Sequence, residues 1–255
     1  MIELDQLSHS FGPVKAVDGV TFRVEPGQIV GFLGANGAGK STVLRILSTY
    51  LPADSGTARV AGIDVTRDPL RARSAVGYLT EHNALLDGMR VAEFLLFMGR
   101  MRGQGGVALT SRLEELSSEL ELETVWHKRI RECSKGFRQR VGLAAALVHD
   151  PPVLLLDEPT HGLDPLQVAA LREQLHRLRP GRAILFSSHV LAEVAQIASR
   201  LLLLQHGRLV LDASVAELEE TSQQRGLSLE ELVLERLAGS DEDAPATATA
   251  PEAGQ

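Results

Sequence analysis

Cysteine is almost absent: Cys133 is the single one in 255 residues, which rules out a disulfide framework. Long apolar runs are missing too. LAAALV (143–148) and LLLL (201–204) fall far short of the roughly 20 residues that cross a bilayer, so no membrane-spanning helix is expected. The opening residues, MIELDQLSHSF, have no basic segment followed by an apolar one, so no secretory signal is expected and the reading is cytosolic. Aromatics make up only 4% of the chain and the formal charge is −7, which leaves neither the stacking surface nor the basic patch of a nucleic-acid binder. No nucleic-acid partner is expected. Lysine occurs only at positions 15, 40, 128 and 135, so arginine carries most of the positive charge.

What remains is enough for one sizeable core. At 27.5 kDa a single catalytic domain with a small appended part is the natural count. Much of the acidity is local: residues 239–255, GSDEDAPATATAPEAGQ, hold Asp241, Glu242, Asp243 and Glu252 and no basic residue. Their Ala, Pro and Thr content cannot build a core, so a disordered acidic tail is expected there.

The most informative stretch is glycine-rich. Residues 34–42 read GANGAGKST and fit the phosphate-loop pattern G-x-x-x-x-G-K-[ST], with Gly34, Gly39, Lys40 and Ser41 in the fixed places. IVGFLG (29–34) before it suits a buried parallel strand, and TVLRILSTYL (42–51) after it has helical apolar spacing. A backbone that curls around phosphates turns its N–H groups inward and admits no Cβ where the oxygens approach, which Gly34, Gly37 and Gly39 allow. Ala35, Asn36 and Ala38 complete the loop, and Thr42 carries it into the helix. Lys40 can reach the β- and γ-phosphates, the Ser41 hydroxyl can bind Mg²⁺, and the helix N-terminus adds partial positive charge. Binding of a nucleoside triphosphate follows as the expectation.

Such a loop needs a metal-holding acid. PPVLLLDEPT (151–160) supplies an apolar strand ending in Asp157 and Glu158 and resembles a Walker B motif. Asp157 would hold Mg²⁺, and Glu158 would polarise the attacking water as general base.

Between these motifs lies CSKGFRQR (133–140), directly before the helical run VGLAAALVHD. It resembles the signature of ATP-binding cassette (ABC) proteins, usually LSGGQ-x-Q-R. Ser134, Gly136, Gln139 and Arg140 keep their places; Cys133, Lys135 and Phe137 depart from the pattern. HGLDP (161–165) looks like the family's D-loop with Asp164, and LFSSHVLAEVA (185–195) looks like its switch region with His189. SFGPVKAVDGVTF places Phe11 where the family carries an adenine-stacking aromatic, and GYLTEHN places Glu81 where it most often has a glutamine metal ligand. Taken singly, Phe11 reads equally as core, His189 as a loop histidine and Ser134 as a helix N-cap.

The resemblance implies an α/β fold of the P-loop ABC ATPase type, with a mixed-sheet core, an N-terminal antiparallel β part and a helical subdomain. Residues 1–214 would form the ATPase domain with the helical subdomain at about 82–150, and 215–238 a small C-terminal helical extension. It further implies ATP and Mg²⁺ as cofactors. Lys40, Glu158 and His189 would be catalytic; Ser41, Glu81 and Asp157 would hold metal. Ser134, Lys135 and Gly136 would close over ATP held by a second cassette packed head to tail, with Asp164 linking the two sites. Forms such as SKG-x-RQR and GYL-x-E together are similar to the ABC-2 type exporter branch. A separate membrane-spanning permease is then the expected partner, met at the cytoplasmic face through residues 82–103, whose Leu, Met and Phe a subdomain core explains as well. A soluble ATPase of DNA repair or of ribosomes is the competing reading.

Overall fold

The computed structural model describes residues 1–241. Two sheets share one core. The first is antiparallel and N-terminal: β1 (Ile2–Phe11), β2 (Val14–Val24), β4 (Ser55–Val60) and β5 (Ile63–Asp64), in the order β2-β1-β4-β5. The second has the order β10-β9-β3-β8-β7-β6, built from β3 (Ile29–Leu33), β6 (Val76–Leu79), β7 (Val153–Leu156), β8 (Ala183–Ser188), β9 (Arg200–Gln205) and β10 (Arg208–Ser214). Its pairings are parallel except at the β10 edge.

In β1 the inward residues are Ile2 and Leu4, then Leu7 and His9. The switch from even to odd positions comes from a bulge around Gln6, whose φ is 49° and where the pairing register with β2 shifts. One inserted residue turns the rest of a strand over. β3 is buried along its whole length, as a strand covered on both faces must be. Val30 and Phe32 face the antiparallel sheet and α1 (Lys40–Leu47), while Ile29 and Leu33 face the helical side.

On that side lie α3 (Val91–Met101), α4 (Gly106–Glu119) and α5 (Lys135–Leu147), packed through Leu95, Leu109, Leu116 and Leu143. α2 (Pro69–Ser74) precedes β6, and α6 (Pro165–Leu178) and α7 (Leu191–Ile197) flank β8. α8 (Val215–Arg225), capped by Ser214 and Glu217, and α9 (Leu229–Asp241) return to the body, where Leu232 and Val233 are buried.

Two boundaries differ from the sequence expectation. The apolar spacing over 42–51 overruns α1, which ends at Leu47 because Thr49 takes φ 64° and the N–H groups of Tyr50 and Leu51 both turn back to the Arg45 carbonyl. α9 runs to Asp241, past the 238 boundary expected for the extension; of the tail expected over 239–255, residues 242–255 lie outside the described residues.

Candidate functional site

β3 delivers the chain to the glycine loop at the C-terminal edge of the second sheet, and α1 leaves from it at Lys40. Gly39 sits at φ 108°, and a Cβ there would stand 2.2 Å from the Ala16 carbonyl oxygen. No side chain fits that approach, so the loop is pressed against the start of β2. α1 has neither a side-chain cap nor an acidic residue in its first turn, which leaves its N-terminal N–H groups for an anion. Lys40 is buried beneath the loop. Its Nζ donates to the carbonyls of Gly34 at 2.6 Å and Ala35 at 3.1 Å and lies 3.7 Å from Glu158 Oε1. Burial pulls its pKa below the usual lysine value, opposed by the carboxylates of Glu158, Asp157 and Glu81.

Asp157 and Glu158 follow β7 directly. Asp157 Oδ1 accepts from Ser41 Oγ at 3.0 Å and from Ser187 Oγ at 2.7 Å. Glu158 takes φ 47°, a left-handed conformation that costs a residue with a Cβ about 1 to 3 kcal/mol. That turn aims its carboxylate at His189, whose Nδ1 lies 2.9 Å from Glu158 Oε2. The Glu158 N–H donates to Ser187 Oγ at 2.9 Å, so one fully buried serine positions both acids.

Ser187 was not among the residues singled out from sequence. The parallel pairing of Leu156 with Phe186 sets Asp157 beside Ser187, and two serines ending an otherwise apolar strand were the available signal. Glu193, which accepts from Thr160 and from Ser188 Oγ at 3.4 Å, was missed too. Ser187→Ala leaves the buried Glu158 N–H without its partner and Asp157 Oδ1 with Ser41 alone, and about 1 to 3 kcal/mol of stability should be lost. Chemical denaturation reads that loss directly, and no change would mean the serine holds neither acid.

Glycine loop, Glu158 and His189 line one cleft of about 420 Å³, together with Phe11, Val14, Glu81 and His161. Phe11 is 49% exposed at its mouth, so the core reading of this residue does not apply. Glu81 pairs with His82 at 3.9 Å and makes no hydrogen bond to Ser41 or Asp157. Ser134, Lys135, Gly136 and Asp164 stand outside the cleft. Ser134 caps α5, its Oγ accepting from the Phe137 N–H at 3.4 Å. A Cβ on Gly136 would lie 2.9 Å from the Gln167 amide carbon, and Lys135 Nζ lies against Gly162, within 1.9 Å of where its Cβ would be. Asp164 caps α6 by accepting from the Gln167 N–H at 2.9 Å. The α5 N-terminus and the turn from Gly162 to Asp164 therefore form one locked surface outside the cleft, while His161 at the start of that turn lines it.

The cleft thus offers a backbone anion cradle, a buried cation with the Glu158 carboxylate 3.7 Å from it, a second acid held on Ser41, and an exposed ring at the mouth. Such a set can hold a triphosphate with a base attached and place a carboxylate beside its last phosphate. A family model described as "ABC transporter" matches residues 17–161. The chain is 35% identical over 234 residues to the ABC transporter ATP-binding protein NatA of Bacillus subtilis (strain 168), across 89% of this chain and 95% of that one. It is 37% identical over 219 residues to the daunorubicin resistance ATP-binding protein DrrA3 of Streptomyces coeruleorubidus, with coverage of 86% and 69%. It is also 37% identical over 218 residues to the Nod factor export ATP-binding protein I of Paraburkholderia xenovorans (strain LB400), with coverage of 85% and 72%. Among solved structures, an ATP binding subunit of an ABC transporter superposes with a TM-score of 0.82 at 28% identity, covering 93% of this chain and 99% of that one. The dimeric post-hydrolysis state of the cassette MJ0796, bound to ADP and Pi, superposes with a TM-score of 0.75 at 22% identity over 84% and 99%, a likeness of fold.

Proposed function

This chain belongs to the ABC transporter family as an ATP-binding, ATP-hydrolysing subunit, and from that premise we propose that it drives an exporter whose membrane-spanning part is a separate chain at the cytoplasmic face of the membrane. One observation carries the catalytic part of the reading: Ser41 and Asp157, 116 residues apart in the chain, meet at 3.0 Å beside Lys40 and Glu158. No helix among the described residues is long and apolar enough to cross a membrane. The relatives named for daunorubicin resistance and Nod factor export support the outward direction.

In the mechanism, Lys40 and the loop N–H groups bind the β- and γ-phosphates, and Phe11 takes the base. Glu158, oriented by His189, removes a proton from the attacking water as the new bond to the γ-phosphorus forms and the bond to the ADP oxygen breaks. Mg²⁺ fits the donor set. Ser41 Oγ and Asp157 Oδ1 meet at 3.0 Å and Glu81 lines the same cleft as Ser41, hard oxygens of the kind that ion takes. Bound there, the ion would neutralise charge on the phosphates.

The locked surface of Ser134, Lys135, Gly136 and Asp164 has no phosphate in its own chain to meet. Head-to-tail packing of two cassettes would set it over the ATP of the second copy, and loss of the γ-phosphate would release the pair. The dimeric likeness of fold is consistent with that arrangement.

For the membrane partner, the segment 82–103 supplies Phe97 and Met101, both exposed on α3. A cavity of about 380 Å³ adjoins its C-terminal end, lined by Tyr50, Arg73 and Arg102 among others. Arg102 donates to the Arg73 carbonyl at 3.0 Å, Arg73 donates to Thr49 Oγ1 at 3.0 Å, and neither guanidinium meets a carboxylate among the described residues. Burial and the Arg73 charge pull the Arg102 pKa down. This basic floor beside exposed apolar side chains is the surface we assign to the permease. Arg102→Glu should reduce recovery of the permease with the chain at least about tenfold, the equivalent of 1.4 kcal/mol, with ATP binding intact. Unchanged recovery would move the docking surface elsewhere.

A further inference from the structure

We propose that His9 is a positioning residue for the nucleotide base, holding the Phe11 ring in the orientation on which the base stacks. The inference rests on reading Phe11 as the base platform. The β1 bulge at Gln6 brings Leu7 and His9 to the inward face. Phe11, two residues beyond His9, emerges on the same side of the strand. The two rings meet edge to face, with centroids 4.7 Å apart and planes at 84°. That is a favoured aromatic arrangement and fixes the tilt of the outer ring.

His9 is only 7% exposed, and neither ring nitrogen makes a well-formed hydrogen bond. Its Nδ1 nevertheless lies 3.2 Å from Asp54 Oδ1. Asp54 also binds the backbone on either side of His9: Oδ2 accepts from the Ser10 N–H at 2.7 Å, and its own N–H donates to the Ser8 carbonyl at 2.9 Å. A buried imidazole without a straight partner is unfavourable for folding, so stability does not account for its place. Its position does account for the ring outside it. Phe11 is half exposed at the end of β1 and is followed by Gly12 at φ 59°, and the edge of His9 is the ring that meets it among the described residues. A ring already held in the stacking orientation loses less freedom when a base arrives, which strengthens binding without a new contact to the ligand.

The test is titration of the full chain with ATP and, separately, with inorganic tripolyphosphate, which has the phosphates and no base. His9→Ala should weaken ATP about 3- to 10-fold and leave tripolyphosphate unchanged. In a Phe11→Ala background the same change should have no further effect, because the ring it positions is gone. His9→Phe keeps the aromatic edge and should restore ATP affinity, and it serves as the second probe if His9→Ala does not fold. Equal losses for ATP and tripolyphosphate would make His9 a purely structural residue and overturn the proposal, as would a His9→Ala chain that binds ATP like the parent. Should Phe11→Ala alone leave ATP affinity intact, the base-platform reading itself fails and His9 falls with it.

Discussion

Replacing Glu158 with glutamine is expected to lower steady-state ATP hydrolysis about 10²- to 10⁴-fold while ATP binding survives. The substitution keeps the shape of the side chain and its reach to His189 Nδ1, 2.9 Å from Glu158 Oε2 in the parent. Basicity is what it removes. With binding intact and cleavage blocked, the γ-phosphate that bridges two cassettes persists. Light scattering at saturating Mg-ATP should then report twice the 27.5 kDa of the single chain. Turnover as fast as the parent's would remove Glu158 from the role of base, and a single-chain mass at saturating ATP would count against the head-to-tail pair.

Lys40→Ala should act one step earlier and weaken ATP binding about 10- to 100-fold, the size expected for losing a hydrogen bond between charged groups in a buried setting. In the structure the ammonium is held among the carbonyls of Gly34 and Ala35 and the Glu158 carboxylate. The phosphates compete for it there. Loss of the cation also leaves Glu158 and Asp157 buried without their nearest positive charge, so some loss of stability should accompany the weaker binding. Calorimetric titration separates the two effects, since the heat of ATP binding and the unfolding transition are read on the same sample. Unchanged ATP affinity would undo the reading of residues 34–42 as a phosphate cradle.

The glycine loop was legible because its pattern is local: strand, turn and helix follow one another, and the glycines, lysine and serine stand at fixed spacing within nine residues. Asp157 and Glu158 were legible for the same reason, as acids at the end of an apolar strand. Ser134 was legible as an N-cap, and the structure gives it that geometry. Ser187 was not, because its importance lies in sheet pairing, which sets it beside an acid 30 residues away. The β1 bulge was not legible either, since alternation alone gives no sign that Gln6 turns the strand over and thereby brings Leu7 and His9 to the inward face. The end of α1 was overrun because apolar spacing continues through Tyr50 while the backbone already turns at Thr49. Lys135 is expected from the sequence only to close over a second cassette's ATP; its position against Gly162 depends on how α5 and the 161–165 loop pack, which no local pattern encodes.

The central claim, an ATPase subunit that works on a membrane-spanning partner, is tested most directly by purifying this chain from gently solubilised native membranes and identifying what co-elutes by mass spectrometry. The account expects a polytopic membrane protein in stable proportion to the chain, lost when Arg102→Glu replaces the parent. Recovery only in the soluble fraction, with ribosomal or DNA-repair proteins and no membrane protein, would contradict it.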